Sequence, residues 1–136
     1  MIRVVLAIVL AAVALDACGT VSERPVSPAP TSPSTGFDVL IGVNDRAVAV
    51  KVGQKIELVL QAKSGMTDWS GVSVDNTAVL LAVPTGITAP KGVTVAGFEA
   101  TSTGTATIRA TAGPLCSPNQ ACPMFALLYE VAVTVT

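Results

Sequence analysis

The sequence predicts an all-β, antiparallel β-sandwich of about seven strands over residues 37–136. Three observations point there. Short apolar segments alternate residue by residue with polar ones and are punctuated by Gly, Pro and Asn, and no stretch of the domain holds a helical period. Hydrophobic residues fill 51% of the 136 positions while aromatics fill 4%, so the core must be built from Val, Ile, Leu and Ala, and the β-branched share favours sheet. Each alternating strand has one apolar face to hide, and about 100 residues suffice for two sheets that hide those faces against each other.

The elements follow in order. A short strand is expected from Phe37 to Val43. Val48, Val50 and Val52 then alternate with Ala49 and Lys51, and Gly53 and Gln54 turn the chain into Ile56, Leu58 and Leu60. Glu57, Val59 and Gln61 take the opposite, outer face of that strand. One strand is expected near Trp69, and others over Thr77 to Val83, Val93 to Ala100, Thr105 to Thr111 and Phe125 to Val135. Ala106, Ile108 and Ala110 should face the interior, with Thr105, Thr107, Arg109 and Thr111 in water, and Val131, Val133 and Val135 point inward again. Met124 to Tyr129 is apolar without a break. Turning Phe125, Leu127 and Tyr129 inward puts Met124 and Leu128 outside, where they mark a protein contact or lie under a covering loop.

Ahead of the domain, Met1, Ile2 and Arg3 precede an unbroken apolar run from Val4 to Leu15, followed by Asp16, Ala17, Cys18 and Gly19. One positive charge before a short apolar run is a secretory signal pattern. Twelve helical residues reach about 18 Å, against about 30 Å of bilayer hydrocarbon, so a cleaved signal is favoured over a spanning helix. Leu15, Asp16, Ala17 and Cys18 resemble the bacterial lipobox, with Asp16 standing where a small residue is usual. The resemblance implies that residues 1–17 are a lipoprotein signal peptide and that Cys18 becomes a diacylglyceryl, palmitate-bearing N-terminus. The protein would then be exported and lipid-anchored to the extracytoplasmic face of a bacterial membrane. An ordinary signal cleaved after Ala14 is the alternative.

The chain has three cysteines, Cys18, Cys116 and Cys122. Lipidation of Cys18 leaves the other two free to close a local disulfide, which is the simplest fate for an exported pair. Such a staple contributes about 2 kcal/mol by restricting the unfolded chain. A structural zinc site would need four ligands, and no histidine is available. Between Cys18 and Gly36, four prolines interleave with Ser and Thr, a composition that builds no core and suits a disordered tether reaching up to about 50 Å.

Composition also excludes. Eight basic against nine acidic residues leave a net charge of −1, too little positive charge to hold a nucleic acid. Without histidine, a paired carboxylate motif or a Gly-rich phosphate loop, no catalytic set stands out, and neither cofactor nor metal is expected.

The order Val50 to Gly53, Ile56, Leu58, Leu60, Trp69, Phe98, Ala100, Gly104, Ala106, Ile108 and Ala110 resembles a bacterial Ig-like domain, and is similar to the chagasin-like fold as well. The likeness covers about residues 45–136 and is strongest over Phe98 to Ile108. The second resemblance implies three protease-blocking loops. Ser64, Gly65, Met66, Thr67 and Asp68 stand where that family carries Asn-Pro-Thr-Thr-Gly before its Trp. Lys91, Gly92 and Gly97 echo the Gly-rich second loop, and the Cys116 to Cys122 loop occupies the place of the third.

Trp69 is the only tryptophan; it either packs between the sheets, as Ig-like domains arrange theirs, or serves as an exposed loop anchor. With it, Leu115, Pro118, Asn119, Gln120, Met124 and Leu128 form the candidate binding surface. The Thr-rich face around Arg109 is either solvent-facing strand or a glycan contact. The sequence therefore points to a lipid-anchored cell-envelope protein presenting a non-enzymatic Ig-like binding or structural module, with an envelope protein or cell-wall glycan as partner. A chagasin-like inhibitor of papain-type cysteine proteases is the alternative.

Overall fold

The computed structural model describes residues 32–136. The expected signal peptide, Cys18 and most of the expected tether therefore lie outside the described residues. Eight strands form, none longer than nine residues: β1 (Val39–Gly42), β2 (Ala47–Val50), β3 (Lys55–Gln61), β4 (Ser70–Val74), β5 (Leu80–Val83), β6 (Val93–Ala100), β7 (Gly104–Ala112) and β8 (Leu127–Val135). They make two four-stranded sheets, ordered β1-β3-β6-β5 and β2-β8-β7-β4. The expected all-β sandwich is what the chain forms.

The strand count is eight rather than about seven, one strand for each segment read from the sequence, and the turn at Gly42 to Asp45 sends β1 and β2 to opposite sheets. Asp45 closes this turn: its Oδ2 accepts the Gly42 N–H at 2.7 Å, and its own N–H donates to the Gly42 carbonyl. Nor is the sandwich wholly antiparallel. β1 pairs in parallel with β3, and β2 in parallel with β8, while the other four pairings are antiparallel. β5 also begins later than expected, since the N–H groups of Val79 and Leu80 both donate to the Asn76 carbonyl in a tight turn.

Between the sheets, Ile41, Ile56, Leu58, Leu60, Leu80 and Phe98 meet Ala106, Ile108, Ala110, Tyr129, Val131 and Val133, all buried. The inward and outward assignments for β7 hold, with Ala106, Ile108 and Ala110 inside. β3 departs from them, for Glu57 on its outer face is only 3% exposed. The reason is the segment before β1, which folds over that face. Ser34 donates its N–H and hydroxyl to the two Glu57 oxygens at 2.6 and 2.8 Å. The Phe37 ring lies over Gly97, so close that a Cβ there would sit 3.0 Å from Phe37 Cζ. A buried carboxylate is tolerated only with such partners.

Candidate functional site

The register of the strands brings three loops to one end of the sandwich. β3 ends at Gln61 opposite Val93, where β6 begins, and β7 ends at Ala112 opposite Leu127, where β8 begins. The connections over residues 62–69, 84–92 and 113–126 therefore crowd together. Hydrogen bonds knit the first to the third: Thr67 N to Gly113 O at 2.8 Å, Leu115 N to Gly65 O at 2.9 Å and Gly113 N to Thr67 Oγ1 at 3.0 Å. Ala62 N donates to Gly92 O at 2.8 Å and joins the second loop to the first. Loops cross-linked in this way present side chains with little ordering entropy left to lose on binding.

Cys116 and Cys122 form a disulfide with their Cα atoms 5.4 Å apart. Within the closed loop the Gln120 N–H donates to the Ser117 carbonyl, and Asn119 adopts φ 68°. Asn is one of the few residues at home in that left-handed region. Pro118, Asn119 and Gln120 are all exposed. Around them stand apolar side chains in water: Leu115 at 64% exposure, Met124 at 100%, Phe125 at 52% and Leu128 at 59%. Ile87 of the second loop is exposed too.

Three sequence readings are decided or corrected here. Trp69, named as a candidate contact residue and also read as packing between the sheets, takes the packed place at 5% exposure. Its indole N–H donates to the Gln61 carbonyl at 3.0 Å and its ring meets Tyr129 edge-on, with centroids 6.0 Å apart. It serves as a wedge between the sheets beneath the loops. Phe125, expected inside, lies outside, because β8 starts only at Leu127 and the strand alternation does not extend back into the loop. Gly97, read as an echo of the second loop, is an interior residue of β6.

Beside this end, the 42–46 turn carries groups that the sequence did not single out. The guanidinium of Arg46 lies 5.3 Å from the centre of the Tyr129 ring, and its Nη1 donates to the Val43 and Asp45 carbonyls. The Tyr129 hydroxyl donates to the Gly42 carbonyl at 3.0 Å and so pins the turn to β8. Burial and, to a smaller degree, the nearby Asp45 charge push the Tyr129 phenol up to about 12, against the opposing pull of Arg46. On the far face, Arg109 is paired with Glu130 amid Thr105, Thr107 and Thr111. That pairing holds the Arg109 guanidinium in its charged form.

The fold and this end together describe an all-β sandwich that displays a braced, three-loop apolar surface. No family model matches the chain. No curated protein matches it either. Among solved structures it is similar to the crystal structure of the cysteine protease inhibitor EhICP2 from Entamoeba histolytica, with a TM-score of 0.49 and 14% identity, over 76% of this chain and 100% of that one. It is similar also to the solution structure of Amebosin, with a TM-score of 0.43 and 17% identity, over 74% of this chain and 100% of that one.

Proposed function

We propose that the domain is a non-enzymatic binding module that seats its three-loop end in a concave site on another protein, and that the partner is a papain-type cysteine protease. The observation that carries this is the exposure of Leu115, Met124 and Phe125 on the 113–126 loop, which is closed on itself by one disulfide and tied to the 62–69 loop by backbone hydrogen bonds. Exposed apolar side chains gathered at one site favour a protein contact. Bracing lowers the entropy lost on docking, and a braced loop is also a poor substrate for the protease it blocks, because cleavage needs a chain that can be drawn out. The choice of protease class follows from the chagasin-like resemblance of the sequence, although the first loop lacks that family's motif.

The test is to titrate papain with the full chain carrying Cys18→Ser. Inhibition that saturates at equimolar protein, and that weakens in Met124→Asp and Leu115→Asp, is expected. Full protease activity in the presence of micromolar protein overturns the protease reading.

For location we propose lipid anchoring through Cys18. Support comes from the lipobox-like Leu15 to Cys18 and from the Cys116–Cys122 bond, which accounts for the other two of the three cysteines. A thioether-linked diacylglycerol supplies the two chains that stable anchoring requires. Mass spectrometry of the mature N-terminus decides the matter: a diacylated Cys18 is expected, and an unmodified terminus rules the anchor out.

A further inference from the structure

Next to the three-loop surface, Arg46, Lys63 and Asn44 stand around a cleft of about 90 Å³ whose apolar walls include Leu127, Leu128 and Tyr129. We propose that this cleft is a subsite for a carboxylate attached to an aliphatic group, such as a chain terminus or acidic side chain beside a Leu-like residue. The Arg46 guanidinium is held in place before any ligand arrives. Its Nη1 is occupied by two backbone carbonyls at 2.8 and 2.9 Å, and its plane rests by the Tyr129 ring. Nε and Nη2 have no hydrogen-bond partner among the described residues and are left to donate to a ligand, in the fork geometry that suits a carboxylate. Lys63 brings a second positive charge from the 62–69 loop, and the Asn44 amide a neutral donor.

Asp45, whose charge reaches Tyr129, has one carboxylate oxygen engaged inside the turn. Its Oδ2 accepts the Gly42 N–H at 2.7 Å within the turn. The volume admits a carboxylate and the first carbons behind it, and the 59%-exposed Leu128 offers an apolar shelf for the remainder. Leu127 and Leu128 belong to the lining, so a carboxylate carried on a hydrocarbon gains an apolar contact that inorganic phosphate lacks. The subsite shares Lys63 and Leu128 with the loop end, while Arg46 and Asn44 belong to the 42–46 turn. It would bind its ligand whether or not the loops dock a protease.

Trp69 lines the same cleft and is the only tryptophan, so its emission reports occupancy directly. The experiment titrates the full chain with N-acetyl-leucine, which mimics a chain terminus, and with N-acetyl-aspartyl-leucine amide, which offers a side-chain carboxylate. N-acetyl-leucinamide is the neutral control. Saturable binding of at least one acid at about 1–10 mM is expected, at the affinity such small ligands reach. The amide should bind at least about tenfold more weakly, and rising salt should weaken the acid. Arg46→Gln should lose about tenfold and Lys63→Gln, at an exposed position, about threefold, the second variant leaving the turn untouched. Which acid binds more tightly separates the two sources. Equal binding of acid and amide, equal displacement by inorganic phosphate, or no saturation by either acid overturns the proposal.

Discussion

Raising the pH should unlock the Tyr129 brace, and the size of the effect can be worked from the structure. The phenol is buried, donates to the Gly42 carbonyl, and is pushed up to about 12 from an ordinary value of 10.0. Below pH 10 both folded and unfolded chains keep the proton, so the contribution is fully present. Between 10 and 12 the unfolded chain ionises while the folded one does not, and stability falls as pH rises. A gap of two pKa units corresponds to about 3 kcal/mol in full, with about half already lost near pH 11. Tyr129 is the sole tyrosine, so phenolate absorbance follows this one group. In the folded protein its midpoint should lie near 12, and in urea near 10. The matching stability assay is urea unfolding at about pH 9 and pH 11 for wild type and Tyr129→Phe, where lysine titration is common to both and cancels. Phe should cost about 1 kcal/mol at neutral pH, for the lost hydroxyl bond, and should lack the alkaline loss. A folded-state midpoint near 10, or the same alkaline loss in Tyr129→Phe, refutes the reasoning.

Gly97→Ala should destabilise by about 1–3 kcal/mol, as overpacked sites do, because the added Cβ would stand 2.8 Å from the Val83 carbonyl oxygen and 3.0 Å from Phe37 Cζ. An unchanged urea midpoint would show that Phe37 does not lie where it is placed. The double variant Cys116→Ser, Cys122→Ser should lose about 2 kcal/mol and still fold, since the bridge closes an exposed loop outside the core. Unreduced, unfolded wild-type domain should correspondingly titrate no thiol at either position.

The amino-acid sequence by itself determined the sheet and its faces. Alternation at β7 and β8 places Ala106, Ile108, Val131 and Val133 inside because successive side chains of a strand point to opposite faces, a rule that needs no partner to be known. Cysteine parity led to the Cys116–Cys122 bond, and the apolar run before Tyr129 put Met124 and Leu128 outside. What only the tertiary structure decided is whatever joins distant segments. Val39 to Gly42 and Ala47 to Val50 read alike as short apolar strands, yet they pair in parallel in different sheets, a choice made by the strands already there. The burial of Glu57 depends on Ser34, twenty-three residues earlier. The Arg46, Lys63 and Tyr129 cleft draws on a turn, a loop and a strand that meet only after the sandwich closes. Local periodicity encodes which way one side chain points from its own strand, whereas a site depends on distances between strands, and these are fixed only when the two sheets pack.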